Sequence, residues 1–270
     1  MHLPVVKLQA AVFDWAGTVI DHGSLAPMGV FVSAFGQFGV EISIAEARGP
    51  MGMAKRDHIA TLLRSPRIAA AWQAAQGAVT EAAIDRVYEV FVPLNERVVT
   101  DYCTMIEGAV AAVDRLRARG LKIGSTTGYT RGIMARVLPL AAAQGYAPDN
   151  LVCAGDLAAG RPTPAMMYRT FLDLGVWPAQ AVVKVDDTEV GIEEGLNAGC
   201  WTVGVALTGN AFGLTPAETA ALSPEDFATR RAAAVAKLTA CGAHWVIDSV
   251  AQIDPVIDQI DGRLARGLRP

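Results

Sequence analysis

The feature that most constrains this chain is an alternation that breaks once. Short apolar runs, LQAAVFD, LKIGSTT, NLVCAG, AVVKVDD, TVGVAL and HWVID, are each followed or preceded by an Ala-rich amphipathic stretch. Runs this short, apolar throughout and separated by helical patterns, read as buried parallel strands joined by crossover helices. Between Asp21 and Tyr102 no convincing strand appears. That stretch reads as consecutive helices: Ala26 to Phe38, a short one opened by the capping box Ser43-Ile44-Ala45-Glu46, another after Met53, and a longer one from Glu81 to Val99. The expected fold is α/β, a Rossmann-like parallel-sheet core domain with an inserted α-helical cap domain. The core takes residues 1–21 and 102–270 and the cap takes 22–101, divisions that a chain of 270 residues accommodates with ample core.

Charge and composition exclude several classes of partner. A net charge of -4 with no basic cluster argues against nucleic acid or a membrane surface. The apolar fraction is 52%, yet no uninterrupted run approaches the ~18 residues that would span a bilayer. The stretch MHLPVVKLQAAVFD has no basic region ahead of a signal-like segment, so a soluble, cytoplasmic protein is expected. Cys103, Cys153, Cys200 and Cys241 lack C-x-x-C spacing and read as small buried hydrophobes, not a disulfide framework or a zinc site.

In open parallel sheets, ligands bind beyond the carboxyl ends of the strands. Asp14, Thr127 and Asp187 each close one of the apolar runs, so they should converge. Each has an ordinary reading alone: a helix cap or turn carboxylate for Asp14, a turn hydroxyl for Thr127, a loop cation for Arg161 in GRPTP. Together they supply a carboxylate nucleophile, a hydroxyl and a cation able to clamp phosphoryl oxygens. Lys55, in GPMGMAKRDHIA, opens a helix after a turn made by Gly49, Pro50 and Gly52, with His58 one turn on and on the same face. The local pattern alone fits a solvated lysine equally well. Lys7, His22 and Lys184 read as structural.

FDWAGT at 13–18, STT at 125–127, GRPTP at 160–164 and KVDDT at 184–188 resemble, in order and spacing, the four motifs of the haloacid dehalogenase superfamily of phosphoryl-transfer enzymes. The resemblance implies that Asp14 attacks phosphorus and that Mg²⁺ shields the charge between carboxylates and phosphoryl oxygens. Ala16 stands where ordinary phosphatases of the superfamily carry a second Asp as general acid. Its presence points to a leaving group that needs no proton there, and a carbon leaving group with a protonated imine as electron sink is one candidate.

FDWAGT, EARGPMGMAK and the DH after it, KIGSTTGYTR, AGRPTP and NAGCWTVGV are similar, nearly end to end, to the phosphonoacetaldehyde hydrolase (phosphonatase) family. That likeness implies hydrolysis of the C–P bond of phosphonoacetaldehyde to acetaldehyde and phosphate, in degradation of phosphonates such as 2-aminoethylphosphonate. It implies Asp14 as nucleophile, Lys55 as the Schiff-base amine and His58 as a proton relay. Met51, Thr127, Gly128 and Arg161 would bind substrate, while Asp14, Asp187 and the backbone carbonyl of Ala16 would surround Mg²⁺. The fourth motif departs from the family pattern, since Asp186 replaces a Gly and Gly191 stands where a later Asp is common. Asp186 is therefore expected to support the metal shell through water or hydrogen bonds. Burial under the cap, with Arg56 and the metal site nearby, is expected to lower the Lys55 pKa. The family is typically dimeric through its cap, so a homodimer is implied. Two rival classes remain: a Mg-dependent phosphatase or phosphomutase acting on a small phosphate ester, which would want an acid at position 16, and a non-catalytic binding protein on the same fold.

Overall fold

The structure is a computed structural model that describes residues 6–270, so positions 1–5 of the expected core lie outside the described residues. Among these, strands β1 (Ala10–Phe13), β2 (Lys122–Thr130), β3 (Val152–Ala154), β4 (Val182–Asp186), β5 (Trp201–Val205) and β6 (Trp245–Ile247) form one parallel sheet in the order β3-β2-β1-β4-β5-β6. All six expected apolar runs contribute a strand. β1 lies between β2 and β4, so the order of crossovers reverses beside it and a crevice opens at its carboxyl end.

Between β1 and β2 the chain runs through α1 (Ala26–Gly36), α2 (Ile44–Arg48), α3 (Lys55–Arg64), α4 (Pro66–Gln76) and α5 (Glu81–Val98). The described residues there form no strand. The Ser43–Glu46 capping box is present in full, the hydroxyl accepting from the Glu46 N–H and the carboxylate accepting from the Ser43 N–H. The single helix expected after Met53 is two helices. Pro66 has no N–H to donate and holds Ser65 extended at φ -68, ψ 140, so α3 stops there and α4 starts with the proline in its first turn.

The sheet is covered by α6 (Ala109–Ala118), α7 (Arg131–Ala143), α8 (Ala165–Leu174), α9 (Glu189–Asn197), α11 (Pro224–Ala240) and α12 (Asp254–Ala265), while the short α10 (Pro216–Ala220) buries no residue. One buried cluster joins strand residues such as Phe13, Ile123, Val183 and Val203 to helix residues such as Val137 and Ile257. A separate cluster, with Phe31, Phe35, Ile59, Leu63, Trp72 and Phe91, lies wholly within α1–α5 and the loops joining them. The four cysteines are unpaired thiols, three buried and Cys241 half-buried, as expected. Among the described residues no helix is long and apolar enough to cross a membrane.

Candidate active site

The strand order brings Asp14, just after β1, and Asp186 and Asp187, at the end of β4, beside Thr127, which lies inside β2 and not at its end as expected, ahead of a register shift between Thr127 and Thr130. Asp14 follows β1 directly, its N–H donating to the Val185 carbonyl at 3.0 Å, so β4 fixes where it leaves the sheet. Carboxylate oxygens of Asp14, Asp186 and Asp187 all lie within 4.8 Å of one another, and all three residues are buried. Asp187 is oriented by the Asn210 N–H, 2.7 Å from its Oδ2, and by the Thr18 hydroxyl at 3.4 Å from Oδ1. Asp186 accepts from both the N–H and the hydroxyl of Thr188 through Oδ1. Its Oδ2 faces Lys184 Nζ at 3.1 Å and Arg161 Nη1 at 3.4 Å.

Arg161 also reaches the nucleophile-like carboxylate, its Nη1 2.8 Å from Asp14 Oδ1. The guanidinium is aimed by three further contacts: Nη2 donates to the Thr126 carbonyl and hydroxyl, and Nε donates to Glu194 Oε2 at 3.0 Å. Lys184 closes the network, donating to the Thr126 hydroxyl and pairing with both Asp186 and Glu194. Lys184, read as structural from the sequence, is thus part of the charge network that positions Arg161. Its signal was present in β4, where a lysine in the apolar run VVKVD shares the face of Asp186 two residues on. Glu194 had no comparable signal, because only the packed phase of α9 turns it inward.

The network holds four buried carboxylates, Asp14, Asp186, Asp187 and Glu194, against two buried cations, Arg161 and Lys184. Burial, reinforced by Asp186, pushes Asp14 up to about 6, although Arg161 and Lys184 pull it back. Asp187 rises well above the usual carboxylate range, through burial first and then Asp14 and Asp186. Asp186 moves the other way: burial would raise it, but Arg161 and Lys184 hold it down. A cluster of hard oxygen donors with surplus negative charge fits a divalent, oxygen-preferring cation.

Lys55 comes down on this cluster from the helical insertion. It is the first residue of α3 and only 3% exposed. Its ammonium lies 5.8 Å from the Phe31 ring centre, 5.2 Å from that of Tyr129 and 3.9 Å from Met51 Sδ. Burial lowers its pKa from 10.5 to about 8; Arg161 adds to the fall and Asp14 opposes it. The expected contribution of Arg56 is not found, because that side chain turns outward to Glu81 and Asp85. His58, fully buried, stacks on Phe31 at 4.0 Å, and its Nε2 lies 2.8 Å from the Ala47 carbonyl while Nδ1 has no hydrogen-bond partner. Burial and then Lys55 hold it well below the usual imidazole range, so it is neutral.

Asp14, Ala16, Met51, Lys55, Thr127, Gly128 and Arg161 line one small cavity of ≈ 20 Å³. Tyr129, which the sequence reading did not single out, lines it too and donates its N–H to the Thr127 hydroxyl. Gly128 is where the core strand meets the insertion: a Cβ there would stand 2.8 Å from the Met53 carbonyl oxygen. Asp187 and Asp186 are not in its lining, though their carboxylates lie within 4.8 Å of that of Asp14, and His58 is also outside it. A larger cavity, ≈ 790 Å³, opens elsewhere, between Asp21–His22 and the returning segment Asp101–Gly108, and is lined by none of the three clustered carboxylates. Convergence of chemistry, not size, identifies the site.

Residues 8–199 match the haloacid dehalogenase-like hydrolase family. A phosphonoacetaldehyde hydrolase of Paraburkholderia xenovorans (strain LB400) is 59% identical over 97% of this chain and 99% of that protein. One from Klebsiella pneumoniae subsp. pneumoniae is 49% identical over 98% and 99%. The chain belongs to the phosphonoacetaldehyde hydrolase family of haloacid dehalogenase-like hydrolases. In structure it superposes with a TM-score of 0.97 on the crystal structure of a phosphonoacetaldehyde hydrolase-like protein from Oleispira antarctica, at 44% identity and covering 100% of this chain and 99% of that one. The family match ends at 199, whereas the full-length relatives also span β5, β6 and the last three helices.

Proposed function

We propose that the protein hydrolyses the C–P bond of phosphonoacetaldehyde to acetaldehyde and phosphate, with residues 22–101 as a cap over a core of 1–21 and 102–270. The observation that carries this reading is a buried lysine of lowered pKa sharing one cavity with Asp14 and Arg161, with no acid at position 16.

Lys55, as the neutral amine, condenses with the aldehyde and expels water, giving an imine that carries a positive charge once protonated. Neutral His58 relays the proton that the amine must lose. Asp14 Oδ2 attacks phosphorus while Arg161, Thr127 and the Gly128 backbone hold the phosphoryl oxygens, and Met51 packs against the substrate's carbon end. As the P–O bond forms, the C–P bond breaks and its electron pair flows into the imine, leaving an enamine on Lys55 and an aspartyl phosphate on Asp14. Protonation at carbon and hydrolysis return acetaldehyde and Lys55, and a second water releases phosphate from Asp14. The leaving group is a carbon whose electron pair enters the imine, so no acid is needed to protonate a leaving oxygen and Ala16 suffices where an ester phosphatase needs an acid. Asp14, Asp187 and the Ala16 carbonyl would hold Mg²⁺, with Asp186 supporting them from behind through its own hydrogen bonds. When bound, Mg²⁺ supplies positive charge that offsets the carboxylate–phosphoryl repulsion.

The cavity has room for about one water molecule. Substrate entry therefore requires the cap to swing away from the core. Unpaired buried thiols fit a reducing cytoplasm, and the family resemblance supports a homodimer joined through the cap. A phosphate-release assay tests the assignment: phosphonoacetaldehyde should turn over readily and hexose phosphates poorly. Comparable turnover of a sugar phosphate would favour the phosphatase or phosphomutase reading, and no release from either would favour a binding protein.

A further inference from the structure

We propose that Arg48 is a positioning residue that couples closure of the helical insertion to the metal-binding carboxylate Asp187, acting through Asn210. This rests on the reading of Asp187 as a metal ligand.

Arg48 lies in the last turn of α2, half-buried, and makes no ion pair among the described residues. Its guanidinium is instead spread over neutral acceptors on both sides of the junction. Nη1 donates to the Gly23 carbonyl at 2.9 Å, where the chain leaves the core, and to Asn210 Oδ1 at 3.0 Å. Nη2 donates to the Gly213 carbonyl at 3.0 Å, three residues further along the same core loop. Asn210 returns a bond, its Nδ2 donating to the Arg48 carbonyl at 3.3 Å.

The same Asn210 donates its backbone N–H to Asp187 Oδ2 at 2.7 Å. One buried residue therefore touches the insertion with its side chain and orients a metal carboxylate with its backbone. The loop is shaped for the cap arginine. Gly213 has φ +69, and a Cβ there would stand 2.8 Å from the Arg48 guanidinium carbon, so any larger residue would push Arg48 off the loop. The planar fork spans acceptors that the point charge of a lysine could not engage together. With Arg48 docked, the loop is pinned and the N–H stays aimed at Asp187; with the insertion swung open, the loop loses these contacts and the carboxylate loses its fixed orientation. Coupling of this kind is reciprocal, so metal binding must in turn favour docking of α2.

The test uses Mg²⁺ alone, with no substrate. By calorimetry, Arg48→Ala should raise the Mg²⁺ dissociation constant on the order of tenfold, as loss of an outer-shell orienting group does, with Arg48→Lys intermediate. By hydrogen exchange, saturating Mg²⁺ should slow the α2 amides in the wild-type chain and leave them unchanged in Arg48→Ala. If Arg48→Ala does not fold, Arg48→Lys carries both measurements. Unchanged Mg²⁺ affinity, α2 exchange that ignores Mg²⁺ in the wild type, or a wild-type chain that binds no Mg²⁺ would each overturn the proposal. A protein that fails to cleave phosphonoacetaldehyde would leave both readouts intact, so this inference and the assigned reaction fail separately.

Discussion

The side chain of Asp186 fills the place that a side chain on Gly191 would occupy: a Cβ built on Gly191 falls inside the Asp186 carboxyl group. The departure noted in the fourth motif is thus one spatial exchange. A carboxylate reached from the end of β4 stands where one from the first turn of α9 would otherwise reach. Both single changes should therefore fail and the double change should recover. Asp186→Gly removes one of the carboxylates that buried Lys184 and Arg161 share with Glu194, at a cost of about 3–5 kcal/mol in stability, and Gly191→Asp forces two carboxylates into one space. Asp186→Gly/Gly191→Asp should regain most of the lost melting temperature and turnover. A double variant no better than the worse single would show that the position of the backbone, not of the carboxylate, matters.

Lys55 separates the imine mechanism from mere phosphate binding. Lys55→Arg keeps the positive charge and loses the nucleophilic amine, so acetaldehyde release should fall more than a thousandfold, equivalent to ~5 kcal/mol of lost transition-state stabilisation. Treating the wild-type enzyme with acetaldehyde and borohydride should leave a covalent adduct on Lys55, read by peptide mass mapping. An adduct on another lysine, or an active Lys55→Arg enzyme, sinks the mechanism.

The pH dependence of trapping follows from burial of Lys55. Burial disfavours the charged ammonium, which places its pKa at about 8 instead of 10.5. Below that value the amine is mostly protonated and cannot attack, so the inactivation rate with acetaldehyde and cyanoborohydride should climb about tenfold per pH unit. It should level off above pH 8. A rate still climbing beyond pH 10 would place Lys55 in solvent.

Glu194 touches no substrate in the proposed mechanism, yet it accepts from Arg161, Lys184 and Thr126 at once. Glu194→Ala leaves two buried cations short of a partner, so a loss of about 3–5 kcal/mol and a clear drop in melting temperature are expected. Glu194→Gln, which keeps the shape, should fold and show its defect in kcat, since Arg161 loses its aim on Asp14. A Glu194→Gln enzyme with wild-type kcat would show that Arg161 is aimed well enough by Thr126 alone.

Much of this architecture is written locally in the chain. Apolar runs too short for helices dictated six strands, the Ser43–Glu46 box dictated a helix start, and FDWAGT with KVDDT placed carboxylates at two strand ends, because strand period, capping and turn chemistry are properties of neighbouring residues. Even the departure at Asp186 and Gly191 was visible as letters. What those letters could not say is that the two positions share one volume, since that depends on how α9 packs against the end of β4. The same holds for Glu194 and Lys184, whose charges acquire meaning only when Arg161 arrives from a loop more than twenty residues away in sequence. It holds for Arg56, adjacent to Lys55 in the chain and turned away from it by one residue of helix rotation. The sequence by itself determined the elements and the chemical types at their ends. Tertiary structure alone decided which buried charges meet, because burial and pairing are set by contacts between segments that are distant along the chain.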